Sequence, residues 1–66
     1  MAKITISAQP GAQRRALERA IEVLVDANIH AHGQVLLVYP VVRVAERDAG
    51  SALSALRSVG IEATLR

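Results

Sequence analysis

The stretch Ile29-His30-Ala31-His32-Gly33-Gln34-Val35-Leu36-Leu37-Val38-Tyr39-Pro40-Val41-Val42-Arg43-Val44-Ala45 decides the fold. Its β-branched residues favour extended chain, and Gly33 and Pro40 interrupt it too often for a single helix. It therefore reads as two strands with a turn between them. Glycine argues for a turn at His32-Gly33-Gln34, whereas the poor fit of proline in a central strand argues for one around Val38 to Pro40. Sequence leaves both registers open. From Val35 to Val42 almost every position is apolar, the pattern of a strand buried on both faces.

Moving outward, residues Ala12 to Ala27 form the pattern of an amphipathic helix. Leu17, Ile21, Leu24 and Val25 recur at helical spacing and lead on to Ile29, while Arg14, Arg15, Glu18, Arg19, Glu22 and Asp26 fill the polar side. Ahead of it, Lys3 to Ala8 alternates strictly, with Ile4, Ile6 and Ala8 on one face and Lys3, Thr5 and Ser7 on the other. Gln9-Pro10-Gly11 breaks that strand. On the far side, Asp48 suits a helix N-cap, and Ala49, Ala52, Leu53, Leu56 and Val59 follow at helical spacing over about 48–59 until Gly60. Ile61, Ala63 and Leu65 alternate with Glu62, Thr64 and Arg66 in a last strand. The order predicts one domain over residues 1–66 of the α+β class: a ferredoxin-like β-α-β-β-α-β fold, with an antiparallel sheet and two helices on one face.

One face of such a sheet lacks helical cover. Its first and last strands present Lys3, Thr5, Ser7, Glu62 and Thr64 there, which water solvates, but the run from Val35 to Val42 is apolar at almost every position. A homo-oligomer, dimeric or higher, is therefore expected, with Val35, Leu36, Leu37, Val38, Tyr39 and Val41 at the interface. Size points the same way. A chain of 66 residues buries only about 60% of the surface it exposes when unfolded, and this one has neither Phe nor Trp and a single Tyr. A sizeable internal pocket is not expected.

Cysteine is absent, which excludes disulfides, thiolate metal sites and thiol nucleophiles. Met1 to Ser7 lacks the apolar run of a signal peptide and no stretch suits a membrane span, so a cytoplasmic location and no membrane partner are expected. The formal charge is only +2, with acids interleaved among the bases. Tyr39 alone could stack a base, and nucleic acid is not the expected partner. Ser7, Ser51, Ser54 and Ser58 show no spacing that pairs them with a histidine and an acid, so no enzyme is expected. His30 and His32 fall on the same side of a strand, but two ligands do not make a metal site, and neither metal nor cofactor is expected.

Pro10-Gly11, Val23-Leu24-Val25-Asp26-Ala27-Asn28-Ile29 and Ala52-Leu53-Ser54-Ala55-Leu56-Arg57-Ser58-Val59-Gly60-Ile61 together resemble the ACT domain family. That resemblance implies a regulatory module which associates and binds an amino acid or similar small molecule at a subunit interface. It implicates Gln9, Pro10 and Gly11, with Asn28 and Ile29 contributing from the start of the second strand. The same turn leads into a helix whose first amides favour an anion, and Arg14 and Arg15 could clamp a carboxylate or phosphate beside it. The simpler account is a plain turn with solvated arginines. Two other readings stand beside the regulatory one: a scaffold protein whose assembly is its function, and a nucleic-acid surface made of Arg14, Arg15 and Arg19.

Overall fold

Residues 1–36 and 39–65 are described by the computed structural model. They form strand β1 (Ala2–Ile6), helix α1 (Gln13–Asp26), strands β2 (Ala31–Leu36) and β3 (Tyr39–Val44), a 3-10 turn (Glu46–Asp48), helix α2 (Ala49–Ser58) and strand β4 (Ala63–Leu65). The architecture is α+β, a four-stranded antiparallel sheet with two helices, compatible with a ferredoxin-like fold. The strands lie side by side as β2-β3-β1-β4.

Register shows how the deciding stretch folds. Leu36 pairs with Tyr39 and Ala31 with Val44, so the chain reverses between 36 and 39 and Gly33 lies inside β2. The turn at His32-Gly33-Gln34 is not formed, and of the later one Val38 lies outside the described residues while Tyr39 and Pro40, expected in the turn, are paired inside β3. Pro40 is tolerated because β1 pairs with β3 only as far as Thr5 opposite Val41, one residue short of it.

Alternation then assigns the faces. Ile4, Ile6, Val42, Val44 and Ala63 join Ala20, Leu24, Ala52 and Leu56 of the helices in one buried cluster, while the interleaved Lys3, Thr5, His32, Gln34, Val41, Arg43 and Thr64 stay outside it. Both helices therefore cover the same face, and the shortest extent of 16 Å suits one sheet and one helical layer. Helix α1 also reaches β2. A Cβ built on Gly33 would lie 2.8 Å from Ile21 Cδ1 and 2.9 Å from Leu17 Cδ1, so any larger residue there makes the tips of those two side chains move.

Both helices stop by the same device. After α1, Asn28 takes a left-handed backbone (φ 62°), its N–H donates to the Val25 carbonyl, and the Ile29 N–H donates to the Leu24 carbonyl. After α2, Gly60 (φ 83°) donates to Arg57 and Ile61 to Leu56. Each is a Schellman motif that satisfies the last carbonyls and delivers an isoleucine back toward the core. The start of α2 differs from expectation. Asp48 occupies the N-cap position, but its backbone is already helical and its side chain caps nothing, because the 3-10 turn binds its N–H to the Ala45 carbonyl. No helix among the described residues is long and apolar enough to cross a membrane.

Candidate functional site

Gln9, Pro10 and Gly11 form a β-turn closed by the Ala12 N–H donating to the Gln9 carbonyl at 3.0 Å. Proline followed by a glycine at φ 86° is the combination that a type II turn demands. The Gly11 N–H donates to Gln13 Oε1 at 2.9 Å, so that amide already has its acceptor. Helix α1 has no side-chain cap and no acid in its first turn, and Arg14 and Arg15 are exposed there. These are the parts of the expected anion site, with the Gly11 and Ala12 donors both engaged locally.

Asn28 and Ile29 lie at the other end of α1. That helix has 14 residues and spans about 21 Å, so one small ligand cannot touch both groups within one subunit. Joining them would take two copies. Their backbone donors serve the helix exit, and Ile29 is buried at 8% exposure in the core.

Sequence reasoning missed a depression where the end of β1, the first half of α1 and the approach to β4 meet. Ile6, Ser7, Ala16, Arg19, Ile61 and Glu62 line it. Ser7 and Glu62 are tied there by the Ser7 N–H donating to the Glu62 carbonyl at 3.0 Å. A second hollow, bordered by Gln9, Ala12 and Arg15, shares Ala16 and Arg19 with the first. Apolar side chains and both signs of charge are thus gathered beside the Gln9 turn. The signal was hidden because Glu62 stands far from Arg19 in sequence, and each reads by itself as a solvated residue.

The six expected interface residues do not share a face. Val35 pairs with Pro40 on the helix-covered side and is 45% exposed at the sheet edge, whereas Tyr39 and Val41 belong to the open side. Leu37 and Val38 lie outside the described residues, as does the side chain of Leu36. The apolar run is shared between two strands and two faces, which is why it reads as more apolar than either face is. Among the described residues no strand pairs with the outer edge of β2, and none of its six residues is Lys, Asp, Glu or Pro.

His32 sits on the open face of β2, and His30 precedes that strand beside Val25, Asn28 and Ile29. Among the described residues no three His, Cys, Asp or Glu side chains gather to hold a metal ion. No family model matches the chain, and neither the curated proteins nor the solved structures contain a match.

Proposed function

We propose that the chain is an ACT-like, ferredoxin-like binding module, acting in the cytoplasm without catalysis of its own, that self-associates and takes up an amino acid or similar small zwitterion. The observation that carries this reading is the depression lined by Arg19 and Glu62 over Ile6, Ala16 and Ile61. A guanidinium suits a ligand carboxylate, a carboxylate suits its ammonium, and the apolar floor suits a short side chain. The element order and the central position of β1 and β3 support the ferredoxin-like assignment. Differential scanning fluorimetry against the common amino acids tests the reading. At least one should raise the melting temperature, and Arg19→Ala and Glu62→Ala should each abolish the rise. A folded protein that responds to none of them refutes it.

The free edge of β2 favours a second reading, assembly as the function itself. Two copies pairing through Ala31–Leu36 would extend the sheet and satisfy its open backbone groups. Val35→Lys should then lower the sedimenting mass to that of the monomer. An unchanged mass in a folded variant excludes pairing at this edge.

A further inference from the structure

The four strands contain no acidic residue at all: Ala-Lys-Ile-Thr-Ile, Ala-His-Gly-Gln-Val-Leu, Tyr-Pro-Val-Val-Arg-Val and Ala-Thr-Leu. All six carboxylates belong to α1, the 3-10 turn or the segment before β4. Register turns this into a surface. Lys3 pairs with Arg43 and Arg43 with His32, so three nitrogen-bearing side chains line up across β1, β3 and β2 on the open face, all exposed. Neighbours in that row are about 5 Å apart. The next row holds Thr5, Val41, Gln34 and Thr64, and Tyr39 follows on β3, about 13 Å from Arg43 along the strand.

We propose that this open face binds single-stranded nucleic acid, with Lys3 and Arg43 holding backbone phosphates, His32 donating beside them and the Tyr39 ring stacking a base. Charge complementarity selects a polyanion, and the ring selects one that carries flat bases. A lipid surface fits less well. Among the described residues the exposed large apolar side chains are Met1, Val25, Val35, Val59 and Leu65, none of which occupies the polar middle of this face. One aromatic and a small net charge do not by themselves point to this partner; the pairing that sets Lys3 beside Arg43 does. The surface is separate from the Arg19 and Glu62 depression, so the two proposals stand or fall independently.

Fluorescence anisotropy with a labelled oligouridine, titrated at several salt concentrations, tests it. Two phosphates neutralised on a single strand give a slope of log affinity against log salt of about −1.4. Lys3→Gln and Arg43→Gln should each lessen that slope by about 0.7. Tyr39→Ala should weaken binding roughly tenfold with the slope unchanged, and Arg57→Gln, on helix α2, should change neither. Circular dichroism confirms that each variant is folded. No binding at low salt, or binding that survives Lys3→Gln and Arg43→Gln, overturns the proposal. So does capture by phosphatidylserine vesicles without oligouridine binding, or polyglutamate binding as tightly as the oligonucleotide.

Discussion

On the helix side of the sheet, Ile4 and Val42 face each other fully buried, in one cluster with Leu24 and Leu56. One residue further on, Thr5 and Val41 face each other on the open side, where no helix lies. Val41 is nevertheless only 4% exposed, and Thr5 Oγ1 is buried without a hydrogen-bond partner among the described residues. Val41's neighbours on that face are Thr5, Gln34, Tyr39 and Arg43, and long polar side chains cover apolar surface with their stems while their heads stay in water. The contrast teaches that an apolar strand position can be dry without a second layer. Burial of Val41 therefore does not call for a partner subunit, and the case for association moves from the sheet's face to its β2 edge.

Removing side chains from each face breaks this comparison in measurable ways. Ile4→Ala, which empties a site enclosed on all sides, should cost about 2–5 kcal/mol in urea unfolding. Gly33→Val makes the Leu17 and Ile21 side chains shift and should cost about 1–3 kcal/mol by the same measurement. Val41→Ala should cost about 1–2 kcal/mol, because a cover of flexible stems can collapse into the space. A loss as large as that of Ile4→Ala, falling with dilution of the protein, would show that another copy covers this face. Thr5→Val exchanges a buried unpaired hydroxyl for a methyl and should raise the unfolding midpoint, by up to about 1 kcal/mol. A loss there would mean that the hydroxyl has a partner on the open face.

Helices and strands were legible because each follows its own period, and both stops were legible in part. Gly60 announced its helix end, but Asn28 performs the same task at the end of α1 and was read instead as a ligand contact. Val25 was placed on the apolar side by its spacing from Ile21, yet it is 62% exposed. One residue beyond Leu24 it is turned about 100° away, and the true inner stripe runs through Ala16, Ala20 and Leu24. Small residues hid that stripe: Ala20 is fully buried but carries little hydrophobic signal. Candidate sites were less legible than the fold. The Arg19 and Glu62 depression and the Lys3, Arg43 and His32 row both join residues far apart in the chain, and periodicity reports only on neighbours.

The central place of β1 also dictates the order in which the protein can form. The two helix exits close within six residues each, from Leu24 to Ile29 and from Leu56 to Ile61, so they need nothing but local chain and can form early. Strand β1 has no such partner. Thr5 waits for Val41, 36 positions on, and Ile4 for Leu65, 61 positions on. Of the four strands β1 is thus made first and paired on both sides only after the last, and the rate of folding is governed by these long closures rather than by the helices.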